Sequence, residues 1–308
     1  MHRFSILETR IHDSFVEAVY TGLSSRPRSL PPRYFYDADG TRLFDLICEL
    51  PEYYVARTEM TILRRHAHEF PTASTVIEFG GGTGAKTRLL FDAFFRTRER
   101  MTYVPVDISK TALFESAGPL LETYPRLRVH AIQAEFDRAC ELIPGEPSLV
   151  LFLGSNIGNF SHEESVRFLS ALRGHQVLVG FDMQKDPSIL RAAYNDDQGV
   201  TARFNLNVLA RINRELGGTF DLGAWEHLSF YNQCESRIEM HLVSKRAHEV
   251  HIGSIGHTFA FDAGEHLHTE NSYKFSREQI RRIARDSGLN VARIWTDERE
   301  WFSLALLS

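Results

Sequence analysis

From residue 74 to 181 the chain alternates short apolar runs with stretches of helical period. The runs 74–79, 103–106, 128–133, 148–153 and 176–181 read as strands, and 85–95, 110–123 and 161–172 as helices. Strands separated by segments of crossover length imply a mostly parallel sheet with helices on both faces, an α/β unit. Before it, the first seventy residues are helix-like. Pro31 and Pro32 set an extended entry into Tyr34, Phe35 and Tyr36, and a helix over 57–70 turns Ile62, Leu63 and His66 inward.

The pattern changes after residue 185. A long helical stretch holding Tyr194 and Phe204 gives way to alternating segments at 237–243 and 248–261, which read as antiparallel strands. Ser276-Arg-Glu-Gln279 has the form of a capping box opening a helix to Ser287, and Gly288 stops it. Strands at 291–295 and 301–307 bring the main sheet to seven. The expected division is therefore a sheet domain of 58–184 plus 275–308, interrupted by a second, α+β domain of 1–57 plus 185–274.

At 308 residues, with 43% hydrophobic and 24% charged positions, the composition is that of a globular protein. A net charge of −5 argues against a general nucleic-acid binder. No apolar run is long enough to span a bilayer, and the first residues lack the apolar core of a signal peptide. Cys48, Cys140 and Cys234 are odd in number and far apart, which suits reduced thiols in a cytoplasmic protein.

Candidate chemistry begins at Glu78-Phe-Gly80-Gly-Gly82-Thr-Gly84, which follows a strand and opens a helix. Glycines permit a sharp turn and close approach to a ligand, and the helix N-terminus adds donors and positive potential. Asp107 ends the next strand, where a carboxylate can accept from a ribose diol. A dinucleotide fits the same facts, because Gly80, Gly82 and Ala85 satisfy that fingerprint; a loop that merely turns is the plainer alternative. Glu78, two residues before the first glycine, and the closing hairpin favour a methyltransferase, whose loop acid lies near the amino-acid part of the donor.

Several further segments carry a specific resemblance. Pro31-Pro-Arg-Tyr-Phe-Tyr36-Asp, Leu43-Phe-Asp, Leu50-Pro-Glu-Tyr53-Tyr54 and Arg57-Thr-Glu lie near the start. Phe152-Leu-Gly154-Ser-Asn-Ile-Gly158-Asn159-Phe, Gly199-Val-Thr-Ala-Arg-Phe-Asn205-Leu-Asn207-Val-Leu, Arg237-Ile-Glu-Met240 and Thr269-Glu270-Asn-Ser272-Tyr-Lys-Phe275 follow in order. Together they resemble the histidine Nα-methyltransferases of ergothioneine biosynthesis. The resemblance implies a Rossmann-like methyltransferase fold and S-adenosylmethionine as donor without a metal. It also implies trimethylation of L-histidine to hercynine. Gly80, Lys86, Asp107, Glu135 and Phe136 would surround the donor. Tyr53, Asn159, Tyr194, Met240, Glu270 and Ser272 would surround the amino acid, with Tyr36 near the amine in the catalytic role. A related acceptor such as tryptophan is the alternative, as is a protein that binds these ligands without turnover. A monomer without nucleic-acid or membrane partners is expected.

The chemistry of these residues is consistent with that assignment. Methyl transfer needs a neutral amine held in line with the methyl, so positioning supplies much of the rate. Asn159 and Tyr194 can donate to a carboxylate without adding charge. Glu270 and Ser272, two apart on a strand, share a face and can address both nitrogens of an imidazole, against which Met240 packs. The chain departs from the family where Ala134-Glu135-Phe136 replaces Gly-Asp-Phe, at Gly84 in place of serine, and at Asn156 in place of threonine or serine. Fourteen histidines include the close pairs His66/His68, His248/His251 and His266/His268, none with a third ligand at a metal-site spacing. Arg281, Arg282 and Arg285 read as a solvated helix face.

Overall fold

The computed structural model describes residues 3–9, 15–82 and 84–308. Along the chain run β1 (Phe4–Glu8), α1 (Phe15–Ser24), β2 (Arg28–Ser29), α2 (Ala38–Glu49), α3 (Val55–His66), β3 (Thr75–Phe79), α4 (Ala85–Phe94), β4 (Met101–Asp107), α5 (Lys110–Thr123) and β5 (Leu127–Gln133). Then come α6 (Phe136–Ala139), β6 (Leu149–Phe152), α7 (His162–Ala171), β7 (Gln176–Asp182), α8 (Pro187–Tyr194) and α9 (Val200–Leu216). The series ends with β8 (Trp225–Asn232), β9 (Arg237–Ser244), β10 (His248–Ile252), β11 (His257–Phe261), β12 (His266–Tyr273), α10 (Arg277–Asp286), β13 (Val291–Thr296) and β14 (Phe302–Leu307). Two compact units form: Met1–Ile11, Val55–Gln184 and Lys274–Ser308 in one, His12–Tyr54 and Lys185–Tyr273 in the other.

The first unit is a sheet in the order β1-β5-β4-β3-β6-β7-β14-β13. Strands up to β7 are parallel, while β14 runs antiparallel to β7 and β13 to β14. Every residue of β3 and β6 is buried, as expected of central strands covered on both faces. The sheet has eight strands rather than seven, because residues read as helix-like supply β1, parallel to β5. Half-buried Phe4 and Ile6 alternate with exposed Ser5 and Leu7, and that short period was hidden beside the helix that follows. The capping box expected of Ser276 and Gln279 forms at the head of α10, and Ser161 with Glu164 makes a second one at the head of α7.

In the second unit β2, β12, β9 and β8 make a four-stranded sheet, and β10 with β11 a separate hairpin rather than one extended segment. Trp225, Ile238, Met240, Leu242 and Leu267 are buried in the sheet, and α8 and α9 pack along it. Only Pro31 is extended at the double proline; Pro32–Phe35 coil into a 3₁₀ turn. Asp37 then caps α2, accepting from Gly40 N at 2.7 Å and from Asn207 Nδ2 of α9 at 2.9 Å.

Candidate functional site

The first unit builds a cradle at the C-terminal edge of its parallel strands, where such sheets bind ligands. β3 ends at Phe79 and the chain turns at once: Gly80 (φ +68°), Gly82 (φ +55°) and Gly84 (φ +73°) all adopt the left-handed conformation. Thr83 lies outside the described residues. A Cβ on Gly80 would stand 3.0 Å from Asn156 Nδ2 and 3.3 Å from Phe136 Cζ, whereas one on Gly82 would meet open space. The loop therefore has walls on one side and room on the other, as a bound nucleoside requires.

Asp107 ends the neighbouring strand. One of its oxygens accepts from Ser109 N at 2.8 Å, and burial raises its pKa. Beyond the end of β5, Ala134 N donates to the Asp107 carbonyl at 3.1 Å, which brings Glu135 and Phe136 to the same edge. Glu135 thus stands at the start of α6. Asn159 closes the short turn Asn156–Asn159 after β6.

Two glutamates of this unit are buried. Glu78 is buried against the loop: its Oε2 accepts from Thr87 Oγ1 and Tyr103 OH, both at 2.5 Å, and a Cβ on Gly81 would stand 2.9 Å from it. Burial raises its pKa against those two bonds. Its role is to tie β3, α4 and β4 together beneath the glycines. Glu59 of α3, not singled out as a site residue from the sequence, holds the other side. Its carboxylate is fully buried, accepts Gly154 N at 2.9 and 3.0 Å, and pairs with Lys86 Nζ at 2.6 Å. Lys86 is thereby held beside Gly154, whose Cβ would stand 3.1 Å from the ammonium. The signal was present: Glu59 falls with Val55, Ile62 and Leu63 on the buried face of α3, where an acid needs a partner.

The second unit gathers most of the residues expected around an amino acid. Tyr53 and Tyr194 are buried with rings 6.2 Å apart and nearly perpendicular. Burial pushes the Tyr53 phenol well above its usual range, so it stays protonated. Tyr194 OH lies 2.7 Å from Ser272 Oγ. Glu270 is paired with Met240 across β12 and β9, and Ser272 with Ile238, in regular register. All four side chains thus share one face of the sheet. Tyr36 packs edge-on against Phe44 and Phe204 and remains 41% exposed. Among the described residues no group of three or more His, Cys, Asp or Glu is placed to hold a metal ion. No helix among them is long and apolar enough to cross a membrane.

Known proteins give the arrangement its context. A model of the family described as histidine-specific methyltransferase, SAM-dependent, matches residues 15–308. A histidine N-alpha-methyltransferase of Mycobacterium tuberculosis (strain CDC 1551 / Oshkosh) is 41% identical, covering 94% of this chain and 92% of its own. The enzyme of that name from Mycolicibacterium smegmatis is 40% identical over 96% of each chain. More distant is a 4-dimethylallyltryptophan N-methyltransferase of Claviceps purpurea, 25% identical over 95% of this chain and 94% of its own. On the extent of these matches, the chain belongs to the histidine-specific, S-adenosylmethionine-dependent methyltransferase family.

Proposed function

We infer that the protein transfers methyl groups from S-adenosylmethionine to the α-amino nitrogen of L-histidine, giving hercynine, the first step of ergothioneine biosynthesis. The observation that carries this is the near-full-length match at about 40% identity to two enzymes named for that reaction. The first unit is the donor-binding domain and the second the substrate-binding domain of this reading.

Bound S-adenosylmethionine supplies a methyl group on a positively charged sulfur, and the chain must do the rest. In this reading Gly80 gives the donor close backbone approach, Asp107 receives its ribose hydroxyls, and Glu135 and Phe136 border the adenine. Lys86, held by Glu59, offers its ammonium to the donor's carboxylate. For the acceptor, Tyr53, Asn159 and Tyr194 bring uncharged donors to the histidine carboxylate. Glu270 accepts from one imidazole N–H, Ser272 addresses the other nitrogen, and Met240 covers the ring. An α-ammonium in a peptide has a pKa near ~8, so the amine must lose a proton before it can attack. Tyr36 is the group assigned to that amine, as hydrogen-bond acceptor or as the path of its proton to water.

Incubation with labelled S-adenosylmethionine and L-histidine, read by mass spectrometry, tests the reading. It should yield histidine carrying three labelled methyl groups. Turnover of tryptophan or another amine in its place would overturn the acceptor assignment. The same reading carries a cytoplasmic location, supported by three free cysteines, and action as a monomer, which sedimentation of the purified chain would check.

A further inference from the structure

Asn205 of α9 is fully buried, and both polar atoms of its amide are used by other elements. Its Nδ2 donates to the His241 carbonyl of β9 at 3.0 Å and lies 2.9 Å from His227 Nδ1 of β8. Its Oδ1 accepts from Thr269 Oγ1 of β12 at 2.7 Å. A carbonyl only accepts, so the contact with His241 fixes which way the amide faces. His227 Nδ1 must then accept, and the ring proton sits on Nε2, which donates to the Tyr194 carbonyl at 3.0 Å. Burial lowers the His227 pKa, which keeps the ring neutral.

Tyr194 is the last residue of α8, where helix carbonyls lack partners within the helix. His227 therefore caps that helix at the residue whose phenol meets Ser272. Along β12 the chain returns from Ser272 to Thr269, and Thr269 lies at the register shift between β12 and β9. That irregularity decides which face Glu270 and Ser272 present. The links close on themselves: Thr269 to Asn205, Asn205 to His227, His227 to Tyr194, Tyr194 to Ser272, and back along the strand through Glu270.

We propose that Asn205 and His227 are positioning residues for the acceptor, fixing the Tyr194 phenol and the Glu270 carboxylate relative to each other through this closed ring. The role rests on the histidine reading above. It assigns neither residue a contact with substrate, and it makes the tautomer of His227 part of acceptor recognition.

Two substitutions at one position separate the role from plain folding. His227→Gln sets an amide nitrogen where Nε2 stands and keeps the donation to Tyr194. His227→Asn reaches only as far as Nδ1 and loses it. Loss of one such bond predicts about a tenfold rise in KM for histidine in H227N. KM in H227Q, which gives up only the acceptor facing Asn205 and leaves that amide its bonds to His241 and Thr269, should stay within about threefold of the parent, with kcat and the donor KM nearly unchanged in both. Melting curves establish that both variants fold. Nitrogen-detected NMR of the parent should show His227 as the Nε2–H tautomer, a readout that needs no turnover. Equal KM shifts in the two variants, or an Nδ1–H tautomer, would overturn the positioning role alone. Failure of the parent to methylate histidine at all would overturn the functional reading and this role with it.

Discussion

Removing either partner of the Glu59–Lys86 pair should destabilise the first unit unequally, and the inequality follows from burial. Glu59 is fully buried while Lys86 keeps a quarter of its side-chain surface. Glu59→Gln preserves an acceptor for Gly154 N and leaves behind a lysine that water can reach. Its cost is that of one charge-assisted hydrogen bond, discounted for exposure, about 1–2 kcal/mol. Lys86→Met leaves a buried carboxylate whose remaining donor among the described residues is one backbone N–H. Breaking a buried pair in this direction costs about 3–5 kcal/mol, and the Gly154 bond places the result toward the lower end. The double variant E59Q/K86M removes both charges while a side-chain oxygen still meets Gly154. It should therefore recover most of the loss and lie within about 1–2 kcal/mol of the parent.

Urea unfolding followed by far-ultraviolet circular dichroism measures all three, with midpoints compared only where the slopes agree. The expected order of stability is parent, then E59Q and the double variant together, then K86M. If K86M proved more stable than E59Q, the carboxylate would not depend on its lysine, and the account of Glu59 as the buried anchor of Lys86 would be wrong. Additive costs in the double variant would refute it equally.

Gly80→Ala forces a left-handed conformation costing about 1–2 kcal/mol and drives its Cβ to 3.0 Å from Asn156 Nδ2; calorimetry should find S-adenosylhomocysteine bound at least about tenfold more weakly, and unchanged affinity would remove the loop from the donor site. Glu270→Gln should raise KM for histidine about tenfold and leave the donor KM alone; equal loss of both would refute its place at the imidazole. Burial lowers the His241 pKa to about 4, against 6.5 when unfolded. Between those values the unfolded chain binds a proton that the native chain does not, so stability should fall as pH drops through the window, on the order of 2–3 kcal/mol. His241→Phe should flatten that dependence, and an unchanged slope between pH 6.5 and 4 would show the ring is not the group responsible. Ser276→Ala, which breaks the α10 capping box, should cost about 1 kcal/mol in the same unfolding assay, and a variant as stable as the parent would show that the cap contributes nothing.

What the sequence disclosed divides along a physical line. Features with local causes were readable: the glycine turn before α4, Ser276 and Gln279 at the head of α10, the mostly apolar run of β3 and the continuous one of β6. Each depends on residues a few positions apart. β1 escaped because a five-residue strand gains its stability only by pairing with β5, more than a hundred residues away. Glu78 shows the limit at the site itself. Its spacing from Gly80 was legible, but Thr87 and Tyr103, which turn its carboxylate beneath the loop, become neighbours only through the sheet. The same holds for Glu59 and Asn205, whose partners come from distant segments. A buried polar side chain is costly unless satisfied, so each such residue implies partners without naming them. Residues that would touch a ligand could be anticipated from the family resemblance, because their chemistry is addressed to a known molecule. Residues that orient them are addressed only to the fold, and for Glu59, Asn205 and His227 the hydrogen bonds must be seen before the role can be assigned.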